Sequence, residues 1–115
     1  MKIKRSTALS TLFSVALTFS GQIQAITDQQ YLSIKTLGQL NATALNCEHH
    51  EEVRRIKKAL IVNLPKRRQL GEEFERITNN SFLSILQQEQ ECPAANSLAN
   101  SISDAIKQLE SAFKK

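Results

Sequence analysis

The chain carries two cysteines, Cys47 and Cys92, and no other residues constrain its fold as much. Joined, they close a span of 45 residues. Whether they join depends on the compartment, and the N-terminus speaks to that. Lys2, Lys4 and Arg5 precede an apolar run from Ala8 to Phe19, and a polar stretch then leads to Ala25. This three-part pattern is that of a secretory signal peptide. The run is about a dozen residues long and is interrupted by Ser10, Thr11, Ser14 and Thr18, well short of the roughly 20 needed to span a bilayer. Cleavage is therefore expected near Ala25, where Ile23 is a tolerable third-last residue; a cut after Ser20 is the fallback. No cysteine lies beside either site, so lipid attachment there is not expected. In an exported domain an even number of cysteines reads as a disulfide.

Removing residues 1–25 leaves residues 26–115 as a single domain with a modest core. The whole chain has 15 basic and 11 acidic residues, but the leader holds three of the bases, which brings the mature balance down to +1. The basic character thus belongs largely to the leader, and a nucleic-acid partner loses its electrostatic basis. A Cys47–Cys92 bridge would stabilise such a domain by roughly 4 kcal/mol on the chain-entropy argument.

Helical spacing runs through the mature chain, with no sustained period-two alternation. Thr27-Asp28 caps a first helix to about Asn46, with Ile34, Leu37, Leu40, Ala44 and Leu45 on one side and Asn41 inside that stripe. Asn41 is either a buried polar group with a partner or the sign of a looser contact. A second helix from about Glu48 to Leu64 aligns Val53, Ile56, Leu60 and Leu64. Pro65 ends it and can serve as the first residue of a third, which carries Leu70, Phe74, Ile77 and Ile85. The weak helix formers Thr78-Asn79-Asn80 predict a kink or break near Asn79, followed by a short helix from Ser81 to about Glu91. After Pro93, a last helix places Leu98, Ile102, Ala105, Ile106, Leu109, Ala112 and Phe113 on a buried stripe. The expected fold is all-α: an up-down-up-down bundle of four helices, or five if the third is broken, with Cys47 and Cys92 meeting at one end.

His49 and His50 stand beside Cys47, Glu51 and Glu52 and suggest a metal cluster. Adjacent helical residues point about 100° apart, so they do not both face one ion from a regular helix. A packed or capping His49 is the plainer reading, and a metal site shared with a partner chain or the free N-terminus is the other. The basic residues Arg54, Arg55, Lys57 and Lys58, then Lys66, Arg67 and Arg68, form either a strip for an acidic partner or anionic lipid, or a solvated face neutralised by pairs such as Glu51 with Arg55. Phe82, Leu83 and Leu86, with Ile85, make a segment apolar nearly all round, which is either buried or covers a partner groove or a homodimer contact.

No nucleophile motif, Gly-rich phosphate loop, metal-protease spacing or haem-attachment motif is present, so no enzyme activity and no cofactor are expected. The mature chain also has no methionine to ligate a haem. Ile26-Thr27-Asp28-Gln29-Gln30 is similar to the Leu-Thr-x-x-Gln motif of periplasmic helical stress chaperones, with Ile77 to Ser81 as a degenerate second copy. That resemblance implies a chaperone exposing apolar surface under stress. Asn41-Ala42-Thr43 and Asn79-Asn80-Ser81 fit the N-glycosylation pattern, relevant only in a eukaryotic host. The leading expectation is a small non-enzymatic factor of the periplasm or secreted space that binds another protein, as inhibitors, immunity proteins and adaptors do. The alternatives are the stress chaperone and a metal-binding protein using His49 or His50.

Overall fold

In a computed structural model, described here for residues 25–115, Thr27 opens the first helix by a reciprocal cap. The Gln30 N–H donates to Thr27 Oγ1 at 3.0 Å and the Thr27 N–H to Gln30 Oε1 at 2.9 Å, which satisfies two otherwise orphaned donors. Helix α1 then runs Asp28–Asn46, α2 His50–Asn63, α3 Arg68–Gln88 and α4 Ala95–Ala112, and no strand occurs among the described residues. The expected export signal, Ala25 apart, lies outside the described residues.

Local chemistry sets each boundary. Glu48 adopts φ 59°, a left-handed conformation that turns the chain out of α1 and leaves His50, two residues later than expected, as the first of α2. The His49 N–H donates back to the Ala44 carbonyl at 2.8 Å, closing that turn. Leu64 is extended, as a residue before proline must be. The third helix does not begin at Pro65, because the Arg67 N–H donates to the Pro65 carbonyl at 2.8 Å in a tight turn and Arg67 is itself extended. Glu89, at φ 51°, ends α3 before the expected Glu91.

The break expected near Asn79 is absent, and α3 is one helix of 21 residues. Thr78, read as a helix weakness, is buried against α1, where its hydroxyl meets Asn41 Nδ2 at 3.3 Å and the Gly38 carbonyl at 3.4 Å. Asn79 and Asn80 are exposed, so their poor propensity, a few tenths of a kcal/mol each, is outweighed by burial of Leu70, Phe74, Ile77 and Ile85.

Helix α1 is the hub of the bundle, packing against α3, α4 and α2. Its closest neighbour is α3, and the two run parallel: Tyr31 meets Glu73 near their starts, and Cys47 and Cys92 meet just beyond their ends. Gly38 permits this approach, since a Cβ there would lie 2.7 Å from Ile77 Cγ2 and 3.0 Å from Ile77 Cβ. Asn41 is also in this seam, with Oδ1 unpartnered, and its burial closes the first of the two glycosylation patterns in the folded protein. Helix α4 runs antiparallel to α1, tied by Gln30 Nε2 donating to the Ala112 carbonyl at 3.0 Å. Helix α2 packs on α1 and α4, and Arg55 reaches Ser103 Oγ at 2.6 Å. Ile34, Leu37, Ile56, Ile102 and Leu109 form the fully buried centre. Cys47 and Cys92 are bridged, with Cα atoms 5.8 Å apart, at the end of the bundle where the alternating topology brings them together.

Candidate functional site

Although α2 and α3 follow one another in sequence, no Cα of one lies within 8 Å of a Cα of the other. Between them lies a cleft of about 200 Å³ lined by Lys57, Leu60, Ile61, Leu64, Gly71, Phe74 and Glu75. A side chain on Gly71 would meet nothing within 4 Å, so the cleft is open at that point. On α3, Gly71, Glu75, Phe82 and Leu86, at intervals of four and seven residues, share one flank. Phe82 and Leu86 therefore continue, toward the disulfide end, the side of α3 that faces the cleft.

The apolar segment divides between the two readings open to it. Ile85 is buried and Phe82 half-buried, whereas Leu83 and Leu86 are 55% and 52% exposed. Leu83 turns about 100° away from the Phe82 flank, toward the outside of α3. Ile61 and Val62 on α2 are exposed further still, at 69% and 70%. Neither belongs to the Val53, Ile56, Leu60 and Leu64 stripe, and their position off that stripe was the signal that could have marked them. Leu45 departs from expectation too: assigned to the buried side of α1, it is incompletely covered where the α1/α3 seam nears its end.

The basic residues separate into two groups. Arg54 pairs with Glu51 at 2.8 Å, and Arg55 pairs with Glu52 at 2.5 Å. These are i,i+3 pairs, so Arg55 takes Glu52 and not the Glu51 expected from i,i+4 spacing. Lys57, Lys58, Lys66 and Arg68 are exposed with no carboxylate of the described residues within 4 Å, while Arg67 is half-buried and engaged. Lys58 edges a second cleft, between α2 and α4, with Val62, Ile106 and Glu110.

His49 is half-buried at the start of α2 and makes no capping hydrogen bond through its side chain, and His50 is exposed. The Cys47 sulfur is held in the disulfide, and among the described residues no three His, Cys, Asp or Glu side chains gather as a metal would require. Thr27 and Gln30 of the chaperone-like pentapeptide serve the α1 cap and the tie to α4.

Across the α1/α3 seam, the Tyr31 hydroxyl donates to Glu73 at 2.9 Å and Arg76 pairs with the same carboxylate. Hydrogen bonding from Arg76, with a further bond from Tyr31, holds the Glu73 carboxyl below its ordinary range despite partial desolvation. The hydrogen bond to Glu73 in turn pushes the Tyr31 phenol up. This network clasps two helices and faces no cleft described above. No protein-family model matches the chain, and neither a curated protein nor a solved structure is significantly similar to it.

Proposed function

We propose that this protein is an exported, non-enzymatic binding factor, of the inhibitor, immunity or adaptor kind, that receives its protein partner on the face shared by α2 and α3. The carrying observation is the open cleft between two consecutive helices, with Ile61 exposed in its lining and Leu86 exposed about 16 Å further along α3 from Glu75. A cleft with an apolar floor and a few large exposed side chains is the surface on which affinity concentrates. The disulfide suits an oxidising compartment, and no described helix is long and apolar enough to cross a membrane. For export itself the support is the leader pattern; intact mass spectrometry should find a chain beginning at Ile26 with no alkylatable thiol before reduction.

Leu86→Asp is the direct test of the binding face. Leu86 is half-exposed and lies in the last turn of α3, so its replacement should lower unfolding free energy by about 1–2 kcal/mol and leave the fold in place. A partner isolated from the exported fraction of the native host on immobilised wild-type protein should then bind the variant at least about 30-fold more weakly by calorimetry, as loss of a large apolar anchor requires. Phe82 is a poorer probe, because truncating a half-buried ring mixes stability with binding. Wild-type affinity in Leu86→Asp and Leu83→Asp alike would refute the assignment.

A further inference from the structure

We infer that the partner suited to the α2/α3 face is a second copy of this chain, docked antiparallel about a two-fold axis; the inference rests on the reading of that face as a binding surface. Charge of opposite sign collects toward its two ends. Arg68 begins α3 and Glu89 follows its last residue, so the two stand about 31 Å apart at a rise of 1.5 Å per residue. Toward Arg68 are the exposed Lys57 and Lys66, and toward Glu89 is the exposed Glu48, whereas Glu91 lines a pocket between α1 and α4; among the described residues Arg68, Lys57, Lys66, Glu89 and Glu48 have no ion pair within 4 Å. Glu75 in the cleft and Glu72 beside it offset only part of the basic end, and Arg54 at the other end is already matched by Glu51.

Exposed apolar groups accompany both charged ends. Leu86, beside the half-buried Phe82, lies toward the acidic one, and Ile61 lies at the cleft toward the basic one. A two-fold antiparallel pairing brings the Leu86 end of one copy onto the Ile61 end of the other, and sets Glu89 against Arg68. Because the operator is two-fold, each of these contacts forms twice. An acidic peptide or an anionic lipid surface would match the basic end alone and be repelled by the other. The second copy satisfies both ends of the same face, and like-charged ends are kept apart, which fixes the orientation.

The test is molar mass in solution for the purified protein, by sedimentation or light scattering, from about 1 to 500 μM at low and high salt, where screening lengths differ about three-fold. A concentration-dependent dimer is expected, with a dissociation constant at least about five-fold larger at high salt. Arg68→Glu and Glu89→Arg should each weaken it about ten-fold or more, and the double exchange should return it to within about three-fold of wild type, because only opposed partners restore each other. Leu86→Asp should yield monomer, with circular dichroism verifying the fold of every variant. Monomer at all concentrations overturns the inference, as does a double exchange no better than the single ones. If the chain stays monomeric while Leu86→Asp still abolishes capture of a different protein, the dimer is wrong and the binding face stands. A dimer indifferent to Leu86→Asp places the contact elsewhere and overturns the inference.

Discussion

Gly38 and Gly71 are both interior to helices, yet replacing each with alanine should move stability in opposite directions. Alanine is the better helix former by about 1 kcal/mol, and at Gly71, open to the cleft, nothing opposes that gain. At Gly38 the added methyl would lie 3.0 Å from Ile77 Cβ, an atom fixed to the α3 backbone that cannot rotate aside, so α1 and α3 must separate. Overpacking of this kind costs typically 1–3 kcal/mol, roughly what it takes to reverse the propensity gain. Chemical denaturation should show Gly38→Ala less stable by about 1–2 kcal/mol and Gly71→Ala more stable by about 0.5–1 kcal/mol. Neither outcome is readable from glycine in a helical pattern, since the two differ only in what the facing helix brings within reach.

At the scale of elements, α3 is backed closely by α1, while α2 and α4 stand further off and meet it through the shared core of Leu70 and Phe74 with Ile56, Leu60, Leu98 and Ile102. The Tyr31–Glu73–Arg76 clasp therefore bears on how firmly α3 is held near its start. Glu73 has a folded-state pKa below its unfolded value of 4.5, so it binds protons less readily when folded. Its contribution is complete above the unfolded value and is lost as pH falls through the lower folded one. Thermal midpoints followed from neutral pH downward should fall below about pH 5, and Glu73→Gln, which has no charge to lose, should show a shallower decline. Tyr31→Phe should lower the midpoint at neutral pH, with a difference from wild type that narrows as Glu73 protonates. Parallel acid profiles for wild type and Glu73→Gln would remove the clasp from the account of α3.

For the whole molecule the disulfide is the counterpart of that clasp, joining α1 and α3 at the opposite end. Cys47→Ser with Cys92→Ser, or reduction, should lower stability by up to roughly 4 kcal/mol on the loop-closure argument. Far-UV circular dichroism should remain mainly helical, since four apolar stripes persist. The loosening should be uneven: hydrogen exchange near Ile85 to Gln88 should accelerate more than in α4, which keeps its contacts with α1 and α2. Equal acceleration in both helices would show that α3 is not the weakly held element.

Much of this architecture was legible in residues 26–115 because it rests on local chemistry. Thr27 and Gln30 carry the first cap in their own spacing, Pro65 forces Leu64 out of the helix, and Leu98, Ile102, Ala105 and Leu109 are buried as their periodicity requires, with Ile106 partly covered at the edge of that stripe. The cysteines and the alternating helix directions pointed independently to one end of the bundle, and they meet there. Of the surface, Phe82, Leu83 and Leu86 stood out as an excess of apolar residues, but the division that buries Ile85 and leaves Leu86 exposed needed the neighbours in place. Only the tertiary structure decided that α1 pairs most closely with α3, that α2 and α3 stand apart around an open cleft, and that Thr78 turns inward instead of breaking its helix. Periodicity identifies which side of a helix is apolar; which helix covers that side is decided by fit between surfaces distant in sequence, here by the approach that Gly38 allows to Ile77.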